Sequence, residues 1–271
     1  MKNKISFALV GVVLIFSILA CTVTINDDRG SNGETVHGSG TVIEETRTVS
    51  NVSDVELAIP GTLHVTMGKS ESLRIEADDN LMAYIQTDVR SGKLVIESRQ
   101  RANLRSTHPI NYYLMVTELN SVVISSDGDI ETDDLQSGSF SITISSSGKV
   151  SISGLDCTSL RVKISSSGDV KVSELMADSV SVDISSSGNL DIQKGKVQQQ
   201  DINISSSGEY RARDLESVSA NVILTSSGEA TIRVNDRLSG RLSSSGNINY
   251  IGNPDINVSM TSSGRTVQIG K

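Results

Sequence analysis

A serine-rich tetrapeptide closing on glycine recurs through the second half of the chain, and its spacing restricts the fold more than any other feature. Ser-Ser-Ser-Gly, or a close variant, ends at Gly128, Gly148, Gly168, Gly188, Gly208, Gly228, Gly246 and Gly264, in steps of 20, 20, 20, 20, 20, 18 and 18 residues. A fixed period in this range marks a solenoid, whose repeats cannot bury their apolar sides alone and must stack. Aligned on the glycine, the sequence separates into columns. Two residues later stand Ile130, Val150, Val170, Leu190 and Tyr210; fourteen later Ile142, Val162, Val182, Ile202 and Val222; sixteen later Ile144, Ile164, Ile184, Ile204 and Leu224. These columns face inward, whereas Asp129, Lys149, Asp169, Asn189 and Glu209 between them face out. Leu135, Leu155, Leu175 and Leu215 mark a third inward position, broken by a glycine at 195. The pattern predicts an all-β, right-handed parallel β-helix with coils of about 20 residues, its hand following from the chirality of parallel β crossovers. Regular repeats occupy 124–271, and seven coil intervals at the strand spacing give a rod of roughly 34 Å.

The glycine is expected to supply a corner at positive φ, where a Cβ would clash. The serines are expected to form hydroxyl ladders along the stack and to bond local backbone at the bend. A ligand face at this corner (an ice-binding plane, a glycan-binding edge or a glycosylation tract) is the alternative, but turn and ladder chemistry accounts for every position.

Upstream, residues 41–123 alternate with period two but without a repeat: Val55, Leu57 and Ile59; Leu63, Val65 and Met67; Leu73, Ile75 and Ala77; then Leu94 and Ile96, and Ile110 to Val116. This is an irregular β region of the same domain. Only Asn80 to Arg90 has any helical character. Before it, Thr22 to Gly40 is polar, holds four glycines and lacks an apolar period. Residues 21–40 therefore read as a tether.

The chain opens with Lys2 and Lys4 ahead of an apolar run from Ile5 to Ala20, a secretory signal over 1–20. Ile18-Leu19-Ala20-Cys21 resembles the lipobox of bacterial lipoproteins, which implies cleavage before Cys21 and a diacylglycerol on its sulfur. Thr22, rather than Asp, after that cysteine resembles an outer-membrane address in bacteria with two membranes. Cys157 then has no partner in the chain, so stability rests on burial and backbone pairing rather than disulfides. Removing 1–20, whose only charges are Lys2 and Lys4, takes the formal charge from −8 to −10. That balance opposes nucleic-acid binding and a basic patch for anionic lipid. Trp is absent, which disfavours a deep stacking cleft for sugars.

Chemistry-bearing residues are scattered. His37, His64 and His108 lack metal-like spacing. The acidic run Asp127, Asp129, Glu131, Asp133 and Asp134 fails the EF-hand pattern; Asp127, Asp129 and Glu131 are the one calcium candidate, and a solvated face accounts for them as well. Cys157 falls in a small, buried column, which makes it an inert core thiol. Paired carboxylates converging in a groove, as polysaccharide lyases and hydrolases need, are not visible in the outward columns. No catalytic residue and no cofactor is expected.

A set of segments carries a family resemblance: Thr46-Arg47-Thr48-Val49; Val55-Glu56-Leu57 leading through Gly61 to Leu63-His64-Val65-Thr66-Met67-Gly68; Leu73-Arg74-Ile75-Glu76-Ala77-Asp78-Asp79-Asn80-Leu81; Gly92-Lys93-Leu94-Val95-Ile96; and Val116 to Leu119 before the first Ser-Ser-x-Gly, where Asp127 departs from the later serines. Together they resemble the head GIN domain family of auto-transporter adhesin heads, from about Gly38 to Gly270. The resemblance implies an exported β-helix, often lipid-anchored, with no catalytic residues to carry over. The expectation is a non-enzymatic, lipid-anchored envelope protein with an adhesin-like or scaffolding role. Its partners are the membrane, through Cys21, and a surface glycan or envelope protein. The alternatives are a carbohydrate-binding or carbohydrate-active β-helix, and an accessory of envelope-stress sensing.

Overall fold

A computed structural model describes residues 33–271; the signal, Cys21 and most of the expected tether lie outside them. The period-two segments fold as strands and stack into a parallel β-helix of about 8 turns. One face runs through Lys93–Ser98, Asp54–Ala58 and Ser121–Ile124, then through the last strand of each repeat to Asp255–Met260. A second runs from Asn111–Val116 through Thr62–Met67 and the strand after each glycine to Arg265–Gly270. A third, shorter arm pairs Leu135 with Leu155 and Leu155 with Leu175. Register follows the sequence period: Ile144, Ile164, Ile184 and Ile204 are successive partners. No residue of the three five-membered columns is more than 2% exposed. Each such side chain contributes about 1.5–3 kcal/mol by leaving water.

The two ends differ. At the N-terminal end the parallel stack meets antiparallel strands: Ile85–Arg90 on Lys93–Ser98, Ser72–Asp78 on Asn111–Val116, and Val42–Arg47 on Ser72–Asp78. At the C-terminal end the last coil shows Ile256, Met260, Val267 and Ile269 to solvent. Helical character in 80–90 is confined to Asp79–Met82. Ile85–Arg90 is a strand instead, because Ser91 (φ 51°) and Gly92 (φ 83°) form a tight hairpin turn that returns the chain onto Lys93–Ser98. A strand also lies before the expected boundary at Thr41: Thr35–His37 pairs in parallel with Asn103–Arg105.

The corner glycines correct the expectation in one respect. None of Gly128, Gly148, Gly168, Gly188, Gly208, Gly228, Gly246 and Gly264 is at positive φ. They are required by crowding. A Cβ on Gly168 would stand 2.4 Å from Ile144 Cγ2 and 2.7 Å from the Gly148 carbonyl oxygen. Positive φ is needed at Gly195 (141°), where a Cβ would meet the Leu175 oxygen at 1.9 Å. That explains the break in the leucine column. Vertical order at the corners is also carried mostly by backbone: Ser165 N–H donates to the Ile144 oxygen at 2.9 Å and Asp169 N–H to the Gly148 oxygen at 3.2 Å, and later coils repeat the pair. The hydroxyl-to-hydroxyl bond of this kind lies off the corner, Ser159 to Ser139 at 3.0 Å.

Where the step shortens from 20 to 18, the pairing of Glu209–Leu224 with Glu229–Leu242 slips twice. A buried polar cluster occupies that slip. Gln200 replaces the apolar side chains of its column; its Nε2 donates to Ser217 Oγ at 2.8 Å and to the Arg233 oxygen at 3.3 Å. Its Oε1 accepts the Tyr210 hydroxyl at 2.8 Å. Burial raises the Tyr210 phenol above its ordinary value, so it stays a donor. Tyr210→Phe is expected to destabilise the domain by about 1–3 kcal/mol, since Gln200 keeps a buried acceptor without a donor. Urea unfolding checks this, and adding Gln200→Leu to that variant should restore part of the loss.

Candidate binding groove and N-terminal clasp

Outward residues on the second face form a register column of Arg74, Tyr113, His64, Glu131, Ser151, Lys171, Asp191 and Arg211. Strand pairing puts neighbours about 4.8 Å apart, close enough for their side chains to stack along the rod. The Arg74 guanidinium lies 4.0 Å over the Tyr113 ring, and His64 stacks on the same tyrosine at 5.1 Å with 19° between planes. His64 Nδ1 is 3.3 Å from Glu131 Oε2. Tyr113 also donates its hydroxyl to Glu76 at 3.3 Å. Both faces of the outward aromatic are thus covered by protein.

Beyond Glu131 the column drops to Ser151, and with Ser153 and Ser173 beside it the surface sinks into a groove of about 480 Å³. Glu131 and Asp133 stand on the strand to one side of Ser151 and Lys171 on the strand to the other, while Lys149 lies on the Ser151 strand itself, two residues before it. Of the calcium candidates, Asp127 is exposed at the corner, the Asp129 carboxylate accepts the Lys149 backbone N–H at 2.9 Å, and Glu131 is engaged by His64. They do not converge, and among the described residues no three or more His, Cys, Asp or Glu side chains are placed to hold a metal. The histidines also lie apart: His64 in this column, His37 and His108 near the N-terminal end. Cys157 is buried beside Ser137 in the third arm; burial, with Asp156 and Asp178 nearby, pushes its thiol up to about 11, away from the reactive thiolate.

A second polar cluster closes the N-terminal end. Asp78 is fully buried; its Oδ1 accepts Gly40 N–H at 2.9 Å and its Oδ2 accepts Thr107 N–H at 2.8 Å. Asn80 Nδ2 donates to the His37 oxygen at 2.8 Å while its Oδ1 accepts Ser39 N–H at 2.9 Å. Asp79 takes the Ser39 hydroxyl. Asp78-Asp79-Asn80 therefore clasps residues 37–41. Alternation, which points Asp78 outward after Ala77, hides this role; the signal available was the run of three short polar acceptors ending a buried strand.

The sequence profile of the family described as "Putative auto-transporter adhesin, head GIN domain" matches residues 53–174 and 159–254. No curated protein matches the sequence. Among solved structures, a putative lipid binding protein from Parabacteroides distasonis superposes with TM-score 0.82 at 23% identity, over 87% of this chain and 100% of its own. A putative adhesin from Parabacteroides merdae gives 0.81 at 20%, over 88% and 100%. A putative adhesin from Parabacteroides distasonis gives 0.79 at 20%, over 87% and 100%. At these identities the structures establish the shared fold. The profile spans most of the β-helix, from the first coil to the 18-residue steps, and on that extent the chain belongs to the head GIN domain family.

Proposed function

We propose that the protein is a non-enzymatic, adhesin-like interaction protein of the bacterial envelope, held to a membrane by lipid on Cys21. In a bacterium with two membranes, the outer one is proposed. The observation that carries the reading is the ordered outer surface of the rod, in which side chains repeat in fixed register and meet one another rather than converging on a reacting centre. Membership of an adhesin-head family supports it. Carbohydrate cleavage is the weaker reading for a geometric reason. A glycosidase sets two carboxylates on either side of the bond it breaks, whereas Glu131 and Asp133 are neighbours on one strand and one wall.

Cys21→Ser is expected to move the protein from the membrane to the soluble envelope fraction and to abolish incorporation of labelled fatty acid. Unchanged membrane partition of that variant would overturn the anchoring. For the adhesin role the test is attachment of the purified domain to whole cells and envelope preparations; binding to none of them, together with an unaltered deletion strain, would reject it.

A further inference from the structure

We propose that the groove over Ser151 binds an acidic saccharide, its carboxylate or sulfate held by Lys149 and Lys171 and its ring hydroxyls by Glu131 and Asp133. The inference rests on the adhesin-like reading and names the class of partner that reading leaves open. Glu131, Lys171, Asp191 and Arg211 all carry long or charged side chains in one outward column. Ser151 interrupts it between an acid and a base, and Ser153 and Ser173 lower the adjacent surface. The result is a floor of hydroxyls with Glu131 and Asp133 on one side, Lys171 on the other and Lys149 at the end of the floor strand; Glu131 and Lys171 are two strand spacings apart, roughly 10 Å along the rod.

Charge selects the ligand. The chain as a whole is at −8, so it repels anions at most of its surface. Lys149 and Lys171 line one depression, and neither is in an ion pair among the described residues. On the strand before Ser151, Asp133 is likewise without an ion-pair partner among the described residues, and Glu131 is met there by His64 alone. Carboxylates that accept hydroxyl protons beside lysines that accept an anion suit a sugar ring bearing an acidic substituent. Stacking does not contribute, because Arg74 and His64 already cover the Tyr113 ring. Recognition is therefore polar and weakens with salt.

The test uses the full folded domain titrated with uronate-bearing oligosaccharides, sulfated oligosaccharides, their neutral counterparts and vesicles containing anionic lipid. The expected result is binding of an acidic oligosaccharide, weak or no binding of the neutral one, and at least a tenfold loss of affinity in Lys149→Ala/Lys171→Ala. Ser151→Glu, which fills the groove and repels the anion, should abolish binding while leaving thermal unfolding unchanged. Equal binding of neutral sugars, binding of vesicles alone, or full binding by both variants would overturn the proposal. Attachment to cells is scored in parallel. A wild-type domain that attaches to cells yet ignores every acidic saccharide sinks this inference and leaves the adhesin-like role standing. One that binds the saccharide and attaches to no cell does the reverse.

Discussion

Gly188→Ala is expected to destabilise the domain by about 3 kcal/mol, from the addition of one methyl group at a corner of the rod. The added Cβ would stand 2.3 Å from Ile164 Cγ2, 2.6 Å from the Gly168 oxygen and 3.0 Å from the Ser166 oxygen. Rotating Ile164 could relieve only the first contact, since two of the three are backbone atoms of the coil below. Separating the coils would relieve them, but that breaks the ladder in which Asn189 N–H donates to the Gly168 oxygen at 3.2 Å. Gly138→Ala is the control: a Cβ there meets nothing within 4 Å, and it should change stability by no more than about 0.5 kcal/mol. Both are measured by urea unfolding. Equal midpoints for the two variants would show that backbone freedom, not coil-to-coil crowding, selects the corner glycine.

Asp78→Ala is expected to cost a similar amount, about 3 kcal/mol, by a different route. It removes the buried carboxylate that accepts both the Gly40 and Thr107 N–H groups, and with it the charge facing His108 Nδ1 at 3.6 Å. Hydrogen exchange should rise in residues 35–41 and 103–108, which this carboxylate ties together, and remain unchanged in the central coils. The pH dependence carries a sign. Burial pushes the Asp78 carboxyl up, but the Thr107 and Gly40 N–H donors and His108 outweigh it and hold the group below its ordinary 3.8. Asp78 thus contributes its stability above pH 3.8 and loses it as pH falls through the lower, folded value. The gap between wild type and Asp78→Ala should accordingly be constant near neutrality and close only in strong acid. A gap that widened on acidification would contradict the assignment.

The repeats were legible because one physical requirement wrote the same residue at the same place in each coil: Ile144, Ile164, Ile184 and Ile204 are partners in space because they are 20 apart in sequence. The glycines were legible as necessary but not in their reason, since a crowded corner and a positive-φ corner both exclude Cβ. The clasp was hidden because its partners, Gly40, Asp78 and Thr107, are far apart in the chain and occur once. The groove was hidden for a related cause. A serine among charged residues is unremarkable in one dimension; only register reveals that Ser151 lies between Glu131 and Lys171.

The clasp also decides how the domain answers a pull. Among the described residues, tension arriving along the backbone from the N-terminal side reaches Thr35–His37 first, a strand held by three residue pairs to Asn103–Arg105. It then meets the Asp78 carboxylate before any aliphatic column is loaded. These contacts are few and local, whereas the coils behind them yield only if long parallel ladders shear together. A stretched molecule would therefore surrender a short length of slack at low force and afterwards stand as a stiff strut.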